Sequence, residues 1–178
     1  MGDLGRAWRT LCETRFQTGV PLSGLTTIRT GGPARWFLDV ENEEEAALAW
    51  TAAQAVGVPV LFIGNGSNLL IPDSGYPGLA VHFGTGFSGM SLDGRRVRAQ
   101  AGVPLKALAF FAADHHLAGL AFAAGIPGSL GGAVFMNAGA FSAEMSSAVE
   151  SVDCLRADGK RLRLSLQEAR MAYRHTRM

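Results

Sequence analysis

The chain has little cysteine, no excess of either charge and no long apolar run, and each shortage argues against a class of protein. Two cysteines in 178 residues are too few for a disulfide framework, and neither has neighbours at the spacing of a metal site. The 16 basic and 15 acidic residues leave a formal net charge of +1, whereas nucleic-acid-binding domains gather a basic excess. The first residues lack the apolar core of a signal peptide, and no apolar run approaches the roughly 20 residues that span a bilayer. We therefore expect no nucleic-acid, membrane or metal partner, and a location in the reducing cytoplasm.

What the chain does have is apolar material and glycine. Hydrophobic residues make up 48% and charged residues 17%, which is enough to build a core and argues against disorder. Glycine accounts for 23 of the 178 residues, against a usual share of about 7%. Because most of these glycines are grouped, their positions need an explanation.

The first half of the chain predicts a strand, a helix and a second strand. Residues 34–40 and 58–64 read as strands. Between them, Asn42 is a candidate N-cap and Gly57 stands where the helix should stop. This order is that of a βαβ unit. The stretch before it, residues 1–23, reads as a weak helix followed by an irregular lead-in.

The second half alternates hairpins and helices. A further strand is expected at residues 79–83, and Asp-Gly pairs at 93–94 and 158–159 predict two hairpin turns. Pro104 opens a helix that should end near Gly119. The predicted class is α+β. The expected organisation is a lead-in over residues 1–23, a first lobe over 24–83 and a second lobe over 84–178.

The loop "GNGSN" follows directly on an apolar strand and is a candidate anion site. Gly64 and Gly66 allow successive amide groups to form a concave nest, and Ser67 and Asn68 add side-chain donors. The glycines match the first two positions of a GxGxxG fingerprint, but Leu69 occupies the third. No GxxxxGK[ST] motif is present. The alternative interpretation is a tight turn rich in Gly and Asn.

Two more glycine groups stand near predicted strands. The pair Gly31-Gly32 precedes one strand, where it could also form a simple turn. The segment "GIPGSLGGAVFMNAGA", residues 125–140, has helical character after its first residues, so its start could present free amide groups to an anion. A glycine inside a helix costs roughly 1 kcal/mol relative to alanine. Either close helix packing or a ligand against the backbone must offset that cost, and three such loops favour the ligand.

Four motifs together resemble one enzyme family. The stretches "TIRTGGPA", "GNGSNLLI", "LAGLAFAAGIPGSLGGAVFMNAGA" and "AYRHT" occur in the order and spacing of the UDP-N-acetylenolpyruvoylglucosamine reductases, also called UDP-N-acetylmuramate dehydrogenases. The chain is similar to the N-terminal part of that family, from about Pro21 to its last residue.

This resemblance implies a two-lobed FAD-binding fold of the vanillyl-alcohol-oxidase type, with tightly held FAD and NADPH as hydride donor. It implies reduction of an enolpyruvyl UDP-sugar to UDP-N-acetylmuramate for peptidoglycan synthesis. The residues that the resemblance places along FAD are Gly31, Gly32, Gly64, Asn65, Gly66, Ser67, Asn68, Leu69, Gly125, Ile126, Pro127, Gly128, Ser129, Gly131, Gly132 and Ala133.

The same resemblance assigns the motif "AYRHT" to the substrate side of the site. Arg174 matches the family's catalytic arginine and Tyr173 a substrate-side tyrosine. A guanidinium stays protonated, so it can stabilise the negative charge that hydride addition pushes onto the enolpyruvyl group. Without the family match, Arg174 would read as a surface arginine near a chain end. Thr176 stands where the family commonly has serine.

The family's serine proton donor and a glutamate that completes its site come later than this chain's last residue. Ser142, Ser146 and Ser165 lie in the wrong motifs to replace that serine. We therefore expect the chain alone to turn over little substrate and to bind FAD more weakly. Two other readings stay open: a different FAD oxidoreductase of the same fold, acting on an alcohol or sugar, and a non-catalytic nucleotide-binding module.

Overall fold

A computed structural model describes residues 3–177, of which residues 3 and 4 by their backbone alone. Their contacts divide into two units. Unit 1 runs to Gly86 and also takes in Leu155–Lys160, while unit 2 comprises Phe87–Cys154 and the residues from Arg161 onward. The lobe boundary expected from the sequence, between residues 83 and 84, lies just before the point where the structural units change.

Unit 1 contains two helices, α1 (Asp3–Thr14) and α2 (Glu43–Val56). The side chain of Asn42 caps α2 by accepting a hydrogen bond from the amide of Glu45 at 2.8 Å. At the other end Gly57 takes a left-handed conformation with φ 72°. Both predicted ends of this helix are confirmed, and both follow from the backbone groups that helix termini leave unsatisfied.

The sheet of unit 1 has four strands. They are β1 (Gln17–Pro21), β2 (Pro33–Asp39), β3 (Val60–Ile63) and β4 (Tyr76–His82), in the order β1-β2-β4-β3. Strands β2, β3 and β4 are parallel, and β1 is antiparallel to β2. The predicted βαβ unit is therefore confirmed, with β4 inserted between its two strands.

Strand β1 corrects the expectation of an irregular lead-in. Its five residues include Gly19 and Pro21, which are depleted in strands and hid it in the sequence. The strand lies at the edge of the sheet, where a proline is tolerated because one side of the strand donates no ladder hydrogen bond.

One cluster of buried apolar residues in unit 1 packs on this sheet. It consists of the buried residues Leu22, Ala34, Phe37, Ile63, Ile71 and Ala80. The tip of a later hairpin, Leu155–Lys160, also belongs to the unit. There Trp50 Nε1 donates a hydrogen bond to the carbonyl of Arg156 at 3.1 Å, and a side chain at Gly159 would overlap Thr51. Unit 1 is therefore assembled from two separate stretches of sequence.

Unit 2 is built from short helices and three hairpins. Its helices are α3 (Leu105–Asp114), α4 (Leu130–Phe135) and α5 (Leu166–Ala169). The hairpin strands are β5 (Met90–Asp93), β6 (Arg96–Ala99), β7 (Gly139–Ala140), β8 (Ala143–Glu144), β9 (Ser151–Leu155) and β10 (Arg161–Ser165). The core residues are Val103, Leu105, Leu108, Ala109, Phe122, Ala123, Ala133, Val134, Ala138 and Met145.

Local signals in the second half of the chain are mostly where the sequence predicts them. Gly94 and Gly159 have φ of 58° and 76°, as the two Asp-Gly turns require. Helix α3 begins directly after Pro104 but ends at Asp114, earlier than the expected end near Gly119. The next residues stop it, because the His115 ring bonds the carbonyl of Phe111 at 2.8 Å and His116 is left-handed with φ 55°.

Candidate functional site

Two of the predicted glycine loops lie side by side within unit 1. The amide of Thr27 donates a hydrogen bond to the carbonyl of Gly66 at 3.2 Å, and the amide of Gly32 donates to Pro72 at 2.9 Å. The loop before β2 and the loop after β3 are thus joined by their backbones. The structure brings Gly31, Gly32 and residues 64–69 into one local surface.

The glycines of these loops are required by the protein's own backbone. A Cβ at Gly66 would overlap the carbonyl of Leu25, and one at Gly32 would overlap the carbonyl of Asp73. At Gly31 it would lie 3.0 Å from the Cβ of Ile71. The sequence reading attributed these bare positions to a ligand, whereas contacts inside unit 1 are sufficient to explain them.

Among the described residues, these two loops also contain hydrogen-bond donors that have no acceptor. In the described part of the chain, the backbone amides of residues 64–68 have no backbone acceptor, and the side chains of Asn65, Ser67 and Asn68 form no hydrogen bond. The hydroxyl of Thr30 is buried without any partner, a state that proteins rarely leave unexplained. Unpaired donors around a glycine turn fit a phosphate-bearing ligand, so this chain's residues fit the diphosphate of a dinucleotide.

The third glycine segment, residues 125–140, belongs to unit 2. The sequence predicts free amide groups at the start of its helix, and the structure differs. The first amides of α4 are already used: Leu130 donates to Val103 at 2.8 Å and Gly131 to Ala101 at 2.8 Å. They are therefore not free for an anion. A Cβ at Gly131 would lie 2.8 Å from that of Ala101, so close packing explains this glycine as well.

Two glycines of the same segment have open space instead. A Cβ at Gly125 would meet nothing within 4 Å, and one at Gly132 would have only the Ser129 hydroxyl near it, at 3.7 Å. Both residues, like Pro127 between them, are exposed. No protein contact accounts for Gly125 and Gly132, and they leave room for a ligand against the backbone.

Arg174 lies on a tight turn that is fastened to this segment. The turn is closed by two backbone hydrogen bonds between Ala172 and His175, at 2.8 and 3.0 Å. The buried hydroxyl of Thr176 donates to the carbonyl of Val134 in α4 at 2.7 Å. The structure therefore brings the arginine motif and the third glycine segment together.

The guanidinium of Arg174 is available to a ligand. It forms no ion pair with any residue between 3 and 177, and its neighbour is the ring of Tyr173, 5.6 Å from Cζ to the ring centroid. Tyr173 itself is 83% exposed. A cation without a protein counterion, beside an exposed aromatic ring, is suited to an anionic ligand that also has a flat group.

Both residues line a pocket of about 310 Å³ that lies entirely within unit 2. The other lining residues are Asn137, Gly139, Ala140, Ser142, Ala143 and Glu144. Part of the rim is the two-residue turn between β7 and β8, in which Phe141 and Ser142 are both left-handed, with φ of 52° and 64°. Left-handed residues other than glycine cost roughly 1–2 kcal/mol each, and such strain is common at functional sites.

Asn137 and Glu144 are site residues that the sequence reading missed. Glu144 Oε1 accepts a hydrogen bond from the Ser146 hydroxyl at 2.6 Å. This bond is the largest cause that holds the pKa of Glu144 below its usual value, and the neighbouring Asn137 side chain and the charge of Arg174 act in the same direction, against partial desolvation. One signal was available: Asn137 is a polar residue inside an otherwise apolar and glycine-rich run.

Other classes of site find little support in the part of the chain that is described. Residues 3–177 contain no group of three or more side chains placed to hold a metal ion, and no helix there is both long and apolar enough to cross a membrane.

Comparison with known proteins places these features in context. A family model described as "FAD binding domain" matches residues 34–165. The chain is 45% identical over 166 residues to a UDP-N-acetylenolpyruvoylglucosamine reductase of Synechococcus, covering 92% of the chain and 53% of that protein. It is 44% identical to the enzyme of that name from Heliobacterium modesticaldum, covering 89% of the chain and 50% of the relative. The chain therefore spans about half the length of the curated relatives it matches.

Solved structures agree on the fold. The crystal structure of the Thermus caldophilus UDP-N-acetylenolpyruvylglucosamine reductase superposes with a TM-score of 0.78 at 35% identity, covering 92% of this chain and 57% of that one. A solvent-stable cholesterol oxidase gives a TM-score of 0.66 at 19% identity, covering 84% of the chain and 32% of the oxidase. The second likeness shows the fold alone, which confirms the predicted α+β fold of the vanillyl-alcohol-oxidase type.

Proposed function

Since this chain belongs to the FAD-binding domain family, we propose that it is the FAD-holding part of a reductase that acts on an enolpyruvyl UDP-sugar. The product would be UDP-N-acetylmuramate, used in peptidoglycan synthesis, and NADPH would be the hydride donor. The observation that carries the proposal is the arrangement in unit 2, where Arg174 lies in a pocket next to the third glycine segment and forms no ion pair with any described residue. A cytoplasmic location remains a prediction from the sequence.

Each unit, taken by itself, has residues suited to FAD. The unpaired donors of residues 64–68 suit its diphosphate, and the exposed backbone at Gly125 and Gly132 leaves room for a flat group. Gly31, Gly32 and Gly131 would act indirectly, since each allows the close backbone packing that shapes its loop. When bound, FAD supplies the ring that accepts and passes on hydride.

Arg174 would bind and stabilise the reacting group. Reduction of an enolpyruvyl double bond places negative charge on a carbon next to a carboxylate. A guanidinium can hold both oxygens of that carboxylate and is not deprotonated at working pH. Tyr173 would add its exposed ring to the substrate side of the same pocket.

Titration with FAD tests cofactor binding. We expect saturable quenching of flavin fluorescence with a stoichiometry near one, and weaker binding of FMN, which lacks the diphosphate bridge and the adenosine. ADP should compete with FAD because it offers a diphosphate to residues 64–68. If flavin absorption and fluorescence remain those of free FAD at equimolar protein, the cofactor assignment is wrong.

Anaerobic reduction tests the reaction. NADPH should bleach the bound flavin, and the enolpyruvyl UDP-sugar should restore its colour in a single turnover, while the isolated chain should show little steady-state turnover. Arg174→Lys should slow the return of colour by roughly 100-fold or more, and Arg177→Lys, a nearby exposed arginine outside the pocket, serves as the control.

The same experiment separates the alternatives. Bleaching of the oxidised flavin by an alcohol or sugar, with no reoxidation of the reduced flavin by the UDP-sugar, would favour another oxidoreductase of this fold. Flavin that binds but is never bleached by NADPH would favour a non-catalytic binding module.

A further inference from the structure

We propose that Asn137 is a positioning residue for Arg174: it fixes the arginine's turn and, with Ser146, keeps Glu144 from pairing with the guanidinium. What the guanidinium binds rests on the function proposed above. The positioning itself rests on contacts within unit 2, so the two can fail separately.

Asn137 connects three segments that line the pocket. Its side chain is 1% exposed, and its backbone is left-handed with φ 42°. Nδ2 donates a hydrogen bond to the carbonyl of Ala172 at 3.0 Å, and Oδ1 accepts one from the amide of Ser146 at 2.9 Å. Ala172 closes the turn that carries Arg174, so one side chain ties that turn and the Glu144 loop to the end of α4.

An uncharged carboxamide can both donate a hydrogen bond to the Ala172 carbonyl and accept one from the Ser146 amide. The Ala172 carbonyl needs a donor and the Ser146 amide needs an acceptor, and an asparagine offers one of each. An aspartate would have the same shape but could not donate to Ala172. Because the side chain is buried, losing one partner would also leave a polar group unsatisfied.

The second part of the arrangement concerns Glu144. This carboxylate lines the same pocket as Arg174, and opposite charges so placed would ordinarily form an ion pair. Instead, Glu144 Oε1 accepts a hydrogen bond from the Ser146 hydroxyl at 2.6 Å, and Asn137 holds the Ser146 amide at 2.9 Å. Among the described residues no carboxylate lies within 4.0 Å of Arg174. We infer that the Ser146 hydrogen bond, fixed in place by Asn137, keeps Glu144 from the guanidinium.

Ser146 and Ser147 provide a matched pair of variants. Ser146→Ala removes the hydroxyl that holds the Glu144 carboxylate. Ser147→Ala removes a neighbouring hydroxyl that donates, also at 2.6 Å, to the main-chain carbonyl of Glu144. Neither serine is buried, so both variants should fold. Asn137→Asp is the direct test of the carboxamide.

Proton exchange measured by nuclear magnetic resonance tests the positioning of Arg174 without a catalysed reaction. In Ser146→Ala, Glu144 should pair with Arg174, and the guanidinium Nε–Hε proton should exchange with water at least fivefold more slowly. Adding Glu144→Gln should reverse the change, and Ser147→Ala should not cause it. In Asn137→Asp, the amide of His175 should exchange at least tenfold faster, because the turn is no longer fixed.

Binding of the enolpyruvyl UDP-sugar to the FAD-loaded protein gives the second measurement. Affinity should fall about tenfold in Ser146→Ala and return in Ser146→Ala/Glu144→Gln. Unchanged exchange in both Ser146→Ala and Asn137→Asp would overturn the positioning role. If the two variants change exchange as expected but the wild-type protein does not bind this sugar nucleotide, the positioning is supported and the proposed substrate is refuted.

Discussion

The loops of residues 26–33 and 64–75 together contain five glycines, as does the segment of residues 125–140, yet the two regions use glycine differently. In the first region a side chain at Gly32, Gly66 or Gly75 would overlap a backbone oxygen of unit 1. In the second, Gly125 and Gly132 have no such neighbour. The first region is held by backbone packed on backbone, and the second keeps a bare surface that its own unit does not fill.

The difference shows that glycine density alone does not identify a ligand cradle. The distinguishing question is what a Cβ would meet. Where it meets protein, the glycine is part of the packing; where it meets nothing and φ is not left-handed, neither packing nor a turn requires the glycine. Substitutions in the first region should therefore reduce stability, whereas substitutions at the bare surface of the second should reduce ligand affinity.

The largest effect is expected at Gly66. Gly66→Ala combines φ 61° with overlap on Leu25, so the free energy of unfolding should fall by more than about 3 kcal/mol. Gly57→Ala is the control, because Gly57 has a similar φ of 72° but nothing within 4 Å, and should cost about 1 kcal/mol. Urea unfolding of both variants measures this. Equal losses would mean that the overlap at Gly66 is relieved by a small shift.

The opposite outcome is expected at Gly132. Gly132→Ala should raise the stability of α4 by roughly 0.5–1 kcal/mol and lower the affinity for FAD about tenfold, as an added methyl group does in a filled site. Gly5→Ala, in α1 with nothing within 4 Å, should give the same helix gain without the loss of affinity. Thermal melts and FAD titrations of both variants test this, and unchanged FAD affinity in Gly132→Ala would count against a cofactor at this surface.

A smaller effect is expected where a side chain, not a glycine, joins two segments of unit 2. Thr176→Val removes the hydroxyl that bonds Val134 and should cost about 1 kcal/mol. Thr176→Ser keeps the hydroxyl and should retain most of the stability. Denaturant midpoints of the two variants decide the cause, since a loss in Thr176→Ser without a loss in Thr176→Val would assign the effect to packing of the methyl group.

The smallest effect is a pH dependence at Glu144. Its lowered pKa is due first to the Ser146 hydroxyl and then to Asn137. A carboxylate with a depressed folded pKa contributes stability above its unfolded value, near 4.3, and that contribution is lost as pH falls through the folded pKa. In an Arg174→Gln background, where no ion pair can replace the lost hydrogen bond, Ser146→Ala should raise the pKa of Glu144, and Ser147→Ala should not. A carbon-13 titration of the carboxyl group measures both, and equal shifts in the two variants would show that the hydroxyl at 146 is not the cause.

Much of the fold could be predicted from interactions between residues that are close together in the sequence. The cap at Asn42, the stop at Gly57 and the Asp-Gly turns depend on neighbours a few residues away. Strand β1 was missed because its Gly19 and Pro21 are unfavourable for a strand, and only the sheet edge makes them acceptable.

The site was readable only in part. Arg174 came from a motif match, since nothing in its own neighbourhood separates it from a surface arginine. Asn137 and Glu144 act through partners brought together by the fold, as with Asn137 and Ala172, which are 35 residues apart. Such pairings leave no periodic pattern in a sequence.

The docking of the tip Leu155–Lys160 onto α2 has a consequence for how the protein is made. Trp50 finds its acceptor on Arg156, 106 positions later, so the first unit cannot reach its final form during synthesis until the ribosome has released that tip. Nascent chains halted before this point should leave the indole ring in water, a state visible by tryptophan fluorescence and attractive to chaperones.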